Sequence, residues 1–150
     1  MVHRPVAWVR RLLADESGSA LIEAALVIPA VLVIAFGVVM TGRVVQAQIG
    51  VQAVAREAGR TLAAAPSSSE GLEDARSRGL AVAGGHGLAP EQLGLVLDAG
   101  AFERGGTVRA QASYRVGLGD LPLLGRVEVV VSSSHQERVE LYRSRTAAVP

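Results

Sequence analysis

From Ala24 to Met40 the chain reads AALVIPAVLVIAFGVVM, 17 residues without a charge. Ala20, Leu21 and Ile22 extend the run upstream, interrupted only by Glu23. As a helix rising about 1.5 Å per residue, Ser19 to Gly42 covers about 36 Å, enough to cross a hydrocarbon core of about 30 Å. The stretch therefore predicts a membrane-spanning helix over 19–42. A buried core helix is the competing reading, but a chain of 150 residues has little protein with which to surround one. A cleaved secretory signal is a second competitor, with Val45-Gln46-Ala47 as its small-residue cleavage site. Against it, the apolar region is longer than an ordinary signal core, and Asp15 and Glu16 stand in the segment before it. Arg4, Arg10 and Arg11 precede the span and Arg43, Arg56 and Arg60 follow it, so charge bias leaves orientation close to a tie.

Outward from the span, residues 1–18 form a polar leader with one apolar-basic patch, VAWVRRLL. Downstream, Val44, Ala47, Val51, Val54, Ala58 and Leu62 recur at three- and four-residue steps, while Gln46, Gln52, Arg56, Glu57 and Arg60 fall on other faces. This predicts an amphipathic stalk helix over 43–65, continuous with the span and stopped by Pro66-Ser67-Ser68-Ser69. Glu70 to Ala83 reads as a second, weaker helix, with Glu73 and Asp74 near its start and Arg76 and Arg78 further along, ended by Gly84-Gly85-His86-Gly87. Beyond Pro90 the period changes to two. Leu93, Leu95 and Leu97 mark one strand, and Arg104-Gly105-Gly106 offers a hairpin turn. Val108, Ala110, Ala112, Tyr114 and Val116 alternate with polar residues in a second strand; Val127, Val129 and Val131 open a third, from Arg126 to about Leu141. The fold class predicted is α+β: a long N-terminal transmembrane helix running into a stalk, a short second helix and a three-stranded antiparallel meander. The boundaries expected are a folded domain over 66–142, extracytoplasmic on the resemblance given below, and a flexible tail over 143–150.

Composition narrows the chemistry. Hydrophobic residues are 49% and charged residues 19%, the reverse of a disordered chain. There is no cysteine, which excludes disulfides, thiolate metal sites and cysteine nucleophiles. All fifteen basic residues are arginine, against fourteen acids, so neither a phosphate-loop lysine nor a net-basic nucleic-acid surface is present. His3, His86 and His135 fall in three different elements without metal-ligand spacing. Ser132-Ser133-Ser134 beside His135 lacks a nucleophile elbow. Gly117-Leu118-Gly119-Asp120 imitates the GxGD of membrane aspartyl peptidases, yet it sits between strands without a second intramembrane aspartate. The sequence predicts no enzyme, cofactor, metal, nucleic-acid partner or small-molecule substrate. It does predict contact with membrane lipid. In the Gly117–Gly125 loop, Leu121, Leu123 and Leu124 surround Pro122 as an apolar cluster. It reads either as a cap on the small core or as an interaction patch.

Glu23 asks for an explanation, because a carboxylate within an apolar span costs about 2.5 kcal/mol unless paired or neutral. One reading places it at the membrane edge, reaching the headgroups. The other starts at Gly18. A chain cut after Gly18 would begin with the α-ammonium of Ser19, which is i to the i+4 of Glu23 on one helix face. The two charges would then offset each other.

Gly18-Ser19-Ala20-Leu21-Ile22-Glu23, followed by Ala24-Ala25-Leu26-Val27-Ile28-Pro29, resembles the class III signal of type IVb pilins and TadE-like proteins. That family places glycine before the cleavage site, glutamate at the fifth mature position and often proline in the second or third helical turn. Ala55-Arg56-Glu57-Ala58-Gly59-Arg60 is similar to its "AREGAR" region. Ala24 departs from the aromatic residue that usually follows the glutamate. The resemblance implies processing at Gly18–Ser19, with Glu23 in register and recruitment and Pro29 as a helix kink. It implies a minor pilin or pseudopilin of a tight-adherence (Tad/Flp) pilus apparatus. Its partners would be a prepilin peptidase, other pilins or pseudopilins and the assembly machinery. Cleavage at the cytoplasmic face would put the N-terminus inside and the domain outside the cytoplasmic membrane. The alternative is an uncleaved, membrane-anchored extracytoplasmic binding module without catalysis.

Overall fold

A computed structural model describes residues 16–117 and 128–139. Most of the leader, the 118–127 loop with Leu121, Leu123 and Leu124, the ends of the expected third strand and the tail lie outside the described residues. The chain divides between Met40 and Thr41 into two units.

Helix α1, Glu16–Ala64, begins in the first unit and ends in the second. In the first unit its apolar residues are exposed all round: Leu21, Ile22, Leu26, Val33, Ile34 and Val38 are each 67–72% accessible. Pro29 lies inside the helix, where it lacks the N–H that would reach back to Ala25.

In the second unit α1 changes character. Ala47, Val51, Val54, Ala55, Ala58, Leu62 and Ala63 are buried, with Gly50 and Gly59 between them. Gln52, Arg56 and Arg60 stay exposed. The apolar stripe is thus a one-sided core face. After Pro66 the chain caps and restarts as α2, Ser68–Gly85, with Ser67 Oγ accepting from the Glu70 N–H at 3.3 Å. Its buried residues, Gly71, Ala75, Gly79 and Ala83, are four apart, one small-residue ridge against α1. A Cβ on Gly71 would stand 2.7 Å from Ala65 Cβ and 3.1 Å from Leu62 Cδ1. On the outside, Arg78 grips Glu57 Oε1 through Nε at 3.0 Å and Nη2 at 2.9 Å, tying the helices together.

The glycine run ends α2 as expected. Gly87, at φ 70°, takes the left-handed position. Leu88 N donates to Ala83 O at 2.9 Å and Gly87 N to Gly84 O at 3.0 Å, the paired bonds of a Schellman motif. A 3₁₀ turn, Pro90–Gln92, leads into the sheet.

Strands β1 (Leu93–Asp98), β2 (Thr107–Gly117) and β3 (Glu128–Arg138) form an antiparallel sheet in the order β1-β2-β3. The register aligns Leu95, Ala112 and Ser133 across the sheet, and Leu97, Ala110 and His135 beside them. On β2, Val108, Ala110, Ala112 and Val116 are buried and Arg109, Gln111 and Arg115 exposed. The buried face joins Ala58, Leu62, Ala63, Ala75 and Val139 in one core, with Leu72, Leu95, Leu97, Ala99 and Phe102 packed at its edge. Small residues permit close approach: a Cβ on Gly59 would lie 3.7 Å from Ala110 Cβ and 3.1 Å from His135 Cδ2.

The β1–β2 connection is wider than a two-residue hairpin. It runs over Ala99–Gly106 and contains the Arg104-Gly105-Gly106 turn, closed by Gly106 N to Glu103 O at 2.8 Å with Gly105 at φ 77°. Val139 clasps this turn, donating to Gly106 O and accepting from Gly105 N.

Candidate processing and membrane site

The residues singled out around the N-terminal end of the span all fall on α1. Gly18, Ser19 and Glu23 lie in its first two turns, and Pro29 lies further along it. Ser19 and Glu23 are both exposed and stand one turn apart. Among the described residues Glu23 has no ion-pair partner.

The exposed surface around these residues decides their setting. None of the strongest apolar window of this helix is buried, so the core-helix reading of the sequence does not apply to it. Among the described residues this is one helix long and apolar enough to cross a membrane. Water is a poor surround for so continuous an apolar face, and a bilayer is a good one.

The second unit gathers polar groups at two places. On β3, His135 Nε2 meets Glu137 Oε2 at 3.0 Å. Ser133 shares their face of the strand, and no hydrogen bond joins it to His135 among the described residues. A cleft of about 440 Å³ beside them carries both signs of charge, from Glu57, Arg60, Glu137 and Arg138. A second groove, of about 220 Å³, is walled by Arg43 and Gln46 of α1, His86 at the end of α2, Gln92 of the 3₁₀ turn and Tyr114 of β2. Sequence reasoning missed this groove, because about seventy residues separate its members and only the fold closes the distance. The one local signal was the helix stop that places His86.

The structure has an N-terminal helix long and apolar enough to cross a membrane, together with an α+β unit. Residues 18–60 match the family described as TadE-like protein, so the resemblance read from Gly18, Glu23 and the Ala55–Arg60 segment holds over that stretch. The match and the candidate span fit a Tad-pilus-associated, membrane-anchored protein. No curated protein and no solved structure matches the chain.

Proposed function

We propose that the chain is a minor pilin or pseudopilin, a structural and assembly component of a Tad/Flp-type pilus or related secretion system. Before assembly α1 holds it as a single pass in the cytoplasmic membrane, N-terminus inside and sheet outside. A prepilin peptidase cuts between Gly18 and Ser19. The new Ser19 ammonium then offsets Glu23, within one subunit or between neighbours, and sets helix register during packing. Partners are other pilins or pseudopilins and the assembly machinery, with Leu121, Leu123 and Leu124 as a contact patch. The observation that carries this reading is the Gly18-Ser19…Glu23…Pro29 pattern at the head of the matched 18–60 segment.

An uncleaved anchored binding module draws on Ala24, which stands where the family usually has an aromatic residue. In the native host, deleting the chain should abolish surface pili or the associated secretion. Wild-type chain should restore them and Glu23→Ala should not. Unchanged pili and secretion in the deletion strain would refute the assembly role.

A further inference from the structure

Two faces of the second unit stay uncovered, one on each helix, and each is the complement of the other. On α1, Val45, Ile49, Arg56 and Arg60 are exposed, and their helical spacing puts them on one side, away from the buried stripe. The first half of that side is apolar and the second half basic. On α2, Glu70, Glu73, Leu80 and Gly84 are exposed on the side opposite the buried Gly71–Ala83 ridge, with Asp74 and Ala81 beside them. Here the first half is acidic and the second apolar. Among the described residues, the side chains of Arg56, Arg60, Glu70, Glu73 and Asp74 make no ion pair or hydrogen bond. At about 1.5 Å per residue, the centres of the apolar and charged halves lie about 16 Å apart on each helix. The two patterns match in length and differ only in direction.

Within one chain these faces cannot meet, because the helices already touch through their inner sides: a Cβ on Gly71 would stand beside Leu62 and Ala65, and one on Gly79 beside Ala58 and Val54. We propose that the outer face of α1 in one copy docks antiparallel on the outer face of α2 in a second copy of this chain. Arg60 then lies against Glu70, and Arg56 against Glu73 and Asp74. Ile49 covers Leu80 and Ala81, and Val45 lies over Gly84, where a Cβ would meet nothing within 4 Å. Opposite charges fix the register while the apolar halves exclude water. The contact is heterologous, so each docked copy keeps one free face of each kind and the contact can repeat. Within a chain α1 and α2 are themselves antiparallel, so the α1 segments of docked copies run parallel. The inference rests on the assembly reading for its supply of neighbouring copies, and deepens it by naming the faces that meet.

The test is disulfide cross-linking of the full chain in detergent, which the absence of native cysteine makes clean. Ala53 and Ser77 stand near the middle of the two faces, and the antiparallel pairing sets them opposite each other. Ala53→Cys and Ser77→Cys chains, carrying tags of different mass, are mixed and mildly oxidised. The mixed disulfide should form in preference to either self-linked dimer. Arg56→Glu with Arg60→Glu on the first chain should cut its yield about ten-fold, the scale of two exposed ion pairs lost. Adding Glu70→Arg and Glu73→Arg to the second chain should restore it; a melting curve for each variant confirms that it folds. A self-linked Ala53→Cys dimer in place of the mixed one would mean that α1 faces pair with each other, and would overturn the docking. So would the absence of a mixed disulfide, or a yield indifferent to charge reversal in folded variants. The two readings fail separately: a deletion strain that keeps its pili refutes the assembly role and leaves the cross-link in place, whereas a missing cross-link refutes only the docking.

Discussion

Glycine shows how one residue type carries opposite consequences in the same helix. Gly71 and Gly84 both sit in α2. Replacing helical glycine by alanine gains about 0.8–1 kcal/mol of propensity. At Gly84 the new methyl meets nothing within 4 Å, so Gly84→Ala should raise stability by about 0.5–1 kcal/mol. At Gly71 the methyl would stand 2.7 Å from Ala65 Cβ and 3.3 Å from Leu62 O, groups that cannot swing away. The overlap should outweigh the propensity gain, and Gly71→Ala should cost about 1–3 kcal/mol. Denaturant unfolding of the two variants side by side checks the sign of each. The sequence had the information for this in the four-residue spacing of Gly71, Ala75, Gly79 and Ala83. Low propensity made the segment read as a weak helix, when the small residues are what let it pack.

Among the elements, the second-unit half of α1 is the keel of the domain. Its apolar stripe was legible because Val51, Val54, Ala58 and Leu62 repeat at helical spacing, and all four are fully buried. Alternation along β2 was equally plain: Val108, Ala110, Ala112 and Val116 are buried, while Tyr114, read on the same face, is only half-buried. The breadth of the Ala99–Gly106 connection was not legible. It depends on Val139, distant in sequence, clasping Gly105 and Gly106. Leu62 shares the core with Val108 and Ala110, so Leu62→Ala should destabilise the domain by about 2–5 kcal/mol. Hydrogen exchange on the full chain in detergent should show lost protection across Thr107–Gly117; unchanged protection there would mean that the helix stripe serves a partner instead of the sheet. The Arg78–Glu57 pair, by contrast, is half open to water and contributes at most about 1 kcal/mol.

At the scale of the whole molecule, the long apolar helix was legible from hydropathy alone, and the 18–60 match covers most of it. The groove beside His86 and Tyr114 was not legible, because folding alone gathers its residues. Leu123→Asp tests the patch outside the described residues. As a contact surface, it should keep the melting temperature within a few degrees and weaken co-purification with pilins. As a core cap, it would bury an unpaired carboxylate and lower the melting temperature sharply. A pilin-type subunit of the kind proposed would be made as a precursor and matured at Gly18–Ser19. Intact-mass spectrometry of the membrane-extracted chain, co-expressed with its prepilin peptidase, tests it most directly. Wild type should have the mass of a chain starting at Ser19, and Gly18→Val should be heavier by residues 1–18 and still membrane-bound. A wild-type chain that starts at Met1 or Val2 under those conditions would contradict it.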